Sequence, residues 1–213
     1  MSKMVCIYIQ ERDGTTSFLE PLVEHINNVF APTIVGYDID SEEDPLEAIH
    51  KTISDADTVF FLGHGTSEKL YASTLDNLAL FDKNNINMLV PKRLFLLSCN
   101  SADFIKKQRL YSAFGFGMLP TSLDDVRNWK ELHGIHIEDF SIDDISIYNH
   151  ALVEILINAL TADSIEDFPL LRERIKFQTS AQIAECLIQY KDNAKYRDLA
   201  DLLYYFQKDI VVR

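Results

Sequence analysis

Two residues in this chain have the chemistry of a nucleophile and its base. His64 stands between two glycines in "VFFLGHG", residues 59–65, and Cys99 ends the run "RLFLLSC", residues 93–99. Each follows a continuously apolar segment, the pattern of a central strand buried on both faces. In an open parallel sheet, ligands bind beyond the carboxyl ends of the strands. If these two strands are neighbours, both side chains emerge at one edge, about one strand spacing of 4.8 Å apart. A thiol beside an imidazole is the pairing that activates cysteine for nucleophilic attack.

The flanking residues suit that chemistry. Gly63 and Gly65 permit backbone torsions closed to other residues and leave space for a substrate to approach. The amide of Gly65, with that of Cys99, is placed to donate to a developing oxyanion. "NSADFIKKQRL" after the cysteine has helical spacing with Ser101 as its N-cap. The first amides of such a helix favour a thiolate. Taken singly, a strand-end cysteine is more often a small buried hydrophobe and Gly-His-Gly more often a turn. It is their pairing at matching strand ends that points to a site.

The surrounding segments supply the elements such a pair needs. "MVCIYIQ" and "TIVGYDI" read as strands, and "TSFLEPLVEHINNVF" as a helix with Phe18, Leu22, Ile26 and Val29 on one face. Pro21 is tolerated there in the first turn. "SEEDPLEAIHKTISDA" reads as a second helix with an acidic start. "FGFGMLPTS" reads as a further strand ending at Pro120. A β-α-β-α-β order predicts an α/β fold, a three-layer sandwich whose mainly parallel central sheet is flanked by helices.

Within residues 66–92, "KLYAST" reads as a hairpin arm and "LDNLALFDKNNINML" as a helix with a turn. Residues 121–145 read as polar, acidic loops, and the chain reads as helical from about 146 onward, with the segment 167–190 a candidate for a break. The whole is expected to be a single domain, with a sheet core over 1–125 and a mostly helical completion over 126–213.

Composition limits the partners. Asp and Glu number 33 against 20 Lys and Arg, a net charge of −13, which repels phosphate backbones and anionic headgroups. Neither nucleic acid nor a membrane surface is expected, and basic peptides are favoured, although most of these acids need do no more than keep the chain soluble. Cys6, Cys99 and Cys186 are widely spaced, with no CxxC or zinc spacing, so no disulfide framework, structural metal or cofactor is expected. The first residues lack a signal-peptide pattern and no stretch reaches transmembrane length, which makes a cytoplasmic location the expectation.

At this point the residues resemble a family. An apolar strand ending in His-Gly and a later one ending in Cys is the pattern of the clan CD cysteine peptidases: caspases, metacaspases, legumain, gingipains, separase and the bacterial CHAT-domain proteins. "LFLLSCNSA" is more similar to the CHAT and separase branch than to caspases, which carry Gln-Ala-Cys, and the interval from His64 to Cys99 is shorter than the roughly 50 residues of caspases. The resemblance covers about residues 1–125. It implies His64 as general acid and base, Cys99 as nucleophile and Gly65 as oxyanion donor. It also implies a pocket for the residue before the cut. Several members use acids there to take a basic residue, and Asp124 and Asp125 in "PTSLDDV" are the candidates, with a solvated turn as the plainer reading of both.

The implied function is a cysteine endopeptidase acting on a protein or peptide substrate with a regulatory protein partner, in prokaryotic members often within defence or cell death. The alternative is a catalytically inactive caspase-like adaptor, for which retaining both His and Cys is unnecessary. An unrelated flavodoxin-like domain is disfavoured because "QERDGTTS", after the first strand, holds one glycine rather than a phosphate loop, though its hydroxyls suit a phosphate. Elsewhere, His133 and His136 stand near Glu138 and Asp139, a weak zinc signal in an extended loop. His25, His50 and His150 fall in helical patterns, and Trp129 reads as a loop residue over the core edge or a cleft wall.

Overall fold

The structure, a computed structural model, describes residues 3–10, 15–37, 45–133, 140–189 and 194–213. Among the described residues it is a mixed α/β protein in which a mostly parallel six-stranded sheet is combined with eight α-helices. The chain divides into two compact units, one of residues 1–117 with 211–213 and one of residues 118–210.

The first unit holds the sheet. Its strands are β1 (Met4–Tyr8), β2 (Thr33–Val35), β3 (Thr58–Leu62), β6 (Arg93–Leu97), β7 (Ala113–Gly115) and β8 (Val211–Val212), in the spatial order β2-β1-β3-β6-β7-β8. All pairings are parallel except β7 with β8. The apolar runs predicted as central strands are β3 and β6, buried along nearly their whole length. The helices are α1 (Glu20–Phe30), α2 (Pro45–Ser54) and α3 (Ser101–Gln108).

Strand periodicity sorts the core between two faces. Cys6, Phe60, Phe95 and Phe114 stand side by side in register on one face. Phe60 meets Phe30 of α1 at 5.2 Å between ring centroids, and Phe95 stacks on Phe114 at 5.7 Å. The other face presents Val5, Ile7, Val59, Phe61, Leu94 and Leu96, which share a cluster with Ile49 and Ile53 of α2 and Phe104 and Ile105 of α3. The first unit is thus layered helix, sheet, helix, as predicted. Gly115 lets α3 close on β7: a Cβ there would lie 2.5 Å from Ile105 Cδ1 and 3.0 Å from the Ser101 backbone.

Several local expectations are corrected. "LALF" is not helical but forms β5 (Leu78–Phe81), antiparallel to β4 (Leu70–Ser73). Cross-strand pairing and the burial of Leu80 and Phe81 override the helix propensity of Leu and Ala. The strand expected to run to Pro120 ends at Gly115. The C-terminal "VV" leaves the preceding helix and returns to the sheet, with Phe114 opposite Val212.

The second unit is helical: α4 (Leu123–His133), α5 (Ile142–Ala159), α6 (Ala162–Glu166), α7 (Phe168–Gln189) and α8 (Ala194–Lys208). The stretch 123–133, expected as loop, is α4 because Ser122 and Asp125 cap it reciprocally: Asp125 N–H donates to Ser122 Oγ at 3.1 Å, and Ser122 N–H to Asp125 Oδ2 at 3.1 Å. Its Trp129 is buried on a helix rather than a loop, edge-on to Tyr205 of α8. The helix α7 is unbroken. Among the described residues no helix is long and apolar enough to cross a membrane.

Candidate functional site

The strands β3 and β6 are neighbours, parallel and in register, with Leu62 opposite Leu97. His64 and Cys99 each follow that last pair by two residues. The pairing continues one step further, because Gly63 N–H donates to the Leu97 carbonyl at 3.1 Å. Both residues therefore leave the sheet at the same edge and the same level, from strands about 4.8 Å apart. Both are half-buried, and Cys99 is not in a disulfide.

The loop carrying His64 is braced by its own return. Tyr71 N–H donates to the His64 carbonyl at 3.0 Å and Thr66 N–H to the Lys69 carbonyl at 2.8 Å, an antiparallel bridge that pairs Gly65 with Leu70. In that bridge the bonds come from the neighbours of Gly65, so its own amide takes no part. An ion pair between Glu68 and Lys107 joins the turn to α3.

Gly65 packs directly on the cysteine loop. A Cβ at 65 would lie 2.5 Å from Ser98 Oγ and 3.0 Å from Ser98 Cβ. Neither Gly63 nor Gly65 uses a left-handed backbone, so the torsional freedom expected of these glycines is not used, and close approach of neighbouring side chains accounts for them instead. Ser98 is 1% exposed, and among the described residues its hydroxyl has no hydrogen-bond partner.

Beyond Cys99 the chain turns sharply into α3. The N-cap is Asn100, in the left-handed region at φ 56°, and not Ser101 as expected. Ser101 is fully buried: its hydroxyl lies 2.7 Å from the Leu96 carbonyl and accepts from Phe116 N–H at 2.9 Å. The amides of Asn100, Ser101 and Ala102 donate to the carbonyls of Gly117, Ser98 and Phe116 at 2.8, 3.3 and 2.7 Å. The amides of Asn100 and Ala102 thus tie the cysteine loop to the residues after β7, and that of Ser101 closes the turn onto Ser98, where thiolate support was expected of them.

A third loop reaches the site unannounced by the sequence. Thr15 Oγ1 lies 3.1 Å from His64 Nε2. In sequence, the hydroxyls of "QERDGTTS" suit a phosphate; the proximity of Thr15 to His64 depends on β1 lying beside β3, which local pattern does not encode. Asp124 and Asp125 belong to the second unit, in the first turn of α4. Asp125 accepts from Ser122 Oγ at 2.7 Å, and Asp124 pairs with Arg127 at 2.8 Å. His136, Glu138 and Asp139 lie outside the described residues. His50 Nε2 is 3.1 Å from the Leu80 carbonyl and its ring packs near Phe81, while His150 is exposed beside Glu154.

Comparison of the chain with protein-family models, with curated proteins and with solved structures finds no match to any of the three.

Proposed function

We propose that this protein is a cysteine endopeptidase of the CHAT and caspase-like kind, with Cys99 as nucleophile and His64 as general base and acid. The observation that supports this reading is the in-register parallel pairing of β3 and β6, whose ends carry the two residues at one sheet edge. His64 takes the thiol proton, and the thiolate attacks the scissile carbonyl. The oxyanion is met by backbone amides, with Gly65 N–H the candidate left out of the neighbouring bridge. Collapse breaks the C–N bond as His64 returns its proton to the leaving amine. Water, deprotonated by His64, then cleaves the thioester and restores the thiol.

An acidic chain of net charge −13 favours a basic substrate segment, and a partner that presents the substrate or activates the site belongs to the same reading, as does action in the cytoplasm. The deciding experiment is cleavage of a peptide library by the native protein, Cys99→Ala and His64→Ala. Loss of cleavage in both variants, with circular dichroism unchanged, supports the dyad. Normal cleavage by either removes it.

A further inference from the structure

We propose that Thr15 is a positioning residue that holds His64 in the tautomer able to accept a proton from Cys99. This rests on the peptidase reading of the same site.

The strand order places β1 and β6 on opposite flanks of β3. Thr15 comes from the loop after β1, and its hydroxyl is 3.1 Å from Nε2 of His64. Cys99 comes from the other flank, at the end of β6. The ring has two nitrogens, and Nε2 is engaged by the β1 side. Nδ1 is the nitrogen left to meet a thiol from the β6 side. A neutral imidazole carries one N–H and one lone pair, and the bond made by one nitrogen sets the state of the other. For Nδ1 to act as base, Nε2 must carry the proton and donate it to Thr15 Oγ1. Once Nδ1 is protonated, Nε2 is still an N–H, so the same bond persists through proton transfer and keeps the ring oriented at both stages.

Thr15 is exposed, but the chain beside it is anchored. Thr16 is 2% exposed, its hydroxyl donates to the Ile9 carbonyl at 2.8 Å, and its carbonyl accepts from Tyr8 Oη at 3.1 Å and Leu19 N–H at 3.0 Å. Ile9 N–H in turn donates to the Leu62 carbonyl at 3.0 Å, two residues before the histidine. A short run of backbone and buried side-chain bonds therefore fixes where the Thr15 hydroxyl stands relative to the ring.

The test is the tautomer itself, read from long-range proton–nitrogen correlation spectra of histidine-labelled protein. The His64 signals are assigned by their loss in His64→Gln, at about pH 8, above the ordinary histidine value. The native protein is expected to show Nε2–H with a bare Nδ1. Thr15→Val is expected to give a mixture of tautomers, and Thr15→Ser to restore the native pattern. Iodoacetamide labelling of Cys99 should slow by roughly two- to threefold in Thr15→Val, in proportion to the tautomer lost, and recover in Thr15→Ser. An Nδ1–H tautomer in the native protein, or spectra unchanged in Thr15→Val, overturns the proposal. The spectra need no substrate, so they judge Thr15 whatever the library shows. Failure of Cys99→Ala to abolish cleavage instead removes the peptidase reading and leaves the tautomer result standing.

Discussion

Gly65 and Ser98 approach so closely that a Cβ on residue 65 would sit 2.5 Å from the serine hydroxyl, which fits the histidine loop directly against the residue before Cys99. The relative placement of the two loops is therefore set by a steric contact that only glycine satisfies.

That contact makes a double-mutant prediction. Gly65→Ala should destabilise the protein by about 1–3 kcal/mol through overpacking. Ser98→Ala removes a buried hydroxyl without a partner among the described residues and should be neutral or stabilising by about 1 kcal/mol. In the Ser98→Ala background the cost of Gly65→Ala should fall by about 1 kcal/mol, since the nearest atom is gone. Denaturant midpoints of the four proteins measure this; strictly additive costs would mean the loops part freely.

Thiol accessibility separates the three cysteines. Cys99 is half-buried, whereas Cys6 has no exposed surface and Cys186 has 7%. Burial raises the pKa of the Cys6 and Cys186 thiols. Iodoacetamide applied to the native protein at neutral pH should modify Cys99 first, as located by peptide mass spectrometry. In His64→Ala that modification should slow by on the order of tenfold. Equal rates would mean that the imidazole does not serve the thiol.

Cys6 should also shape stability in alkali. Burial pushes its thiol from 9.0 up to about 12. The unfolded chain then loses this proton first, so the folded state is favoured below the unfolded value and that advantage is lost as pH rises toward the folded one. Between about pH 9 and 11 the native protein should lose up to about 1.4 kcal/mol more per pH unit than Cys6→Ala does, because all other titrating groups are shared. Parallel stability curves would show that Cys6 ionises in the folded state.

The last strand covers an edge. Ala113 and Arg213 exchange backbone bonds at 2.9 and 3.0 Å, and β8 lies along β7. Removing residues 211–213 should cost roughly 2–4 kcal/mol in lost backbone pairing and bare a parallel-sheet edge to other chains. Thermal unfolding and light scattering read both effects; a truncated chain as stable and monodisperse as the full one would show that β8 is dispensable.

Some of this was legible in the residues alone. The unbroken apolar runs at 58–62 and 93–97 announced buried parallel strands because a strand covered on both faces has no polar side to alternate. The placing of His64 and Cys99 at their ends followed from chain order. Pro21 in the first turn of α1 and the helical character of the chain from about 146 onward were likewise local facts.

What the sequence left open depends on contacts distant in the chain. Residues 78–81 have helix formers, yet pairing with β4 makes them a strand, because cross-strand burial outweighs propensity. Two valines carry no periodicity, so β8 exists only where β7 offers it an edge. The need for glycine at 65 comes from Ser98, the capping role of Asp125 from Ser122, and the partner of His64 Nε2 from a threonine on the neighbouring loop. The chain by itself determined which residues could do chemistry and that they end strands. Tertiary structure alone decided that those strands are adjacent and in register, because sheet order is chosen by packing between segments that no local pattern relates.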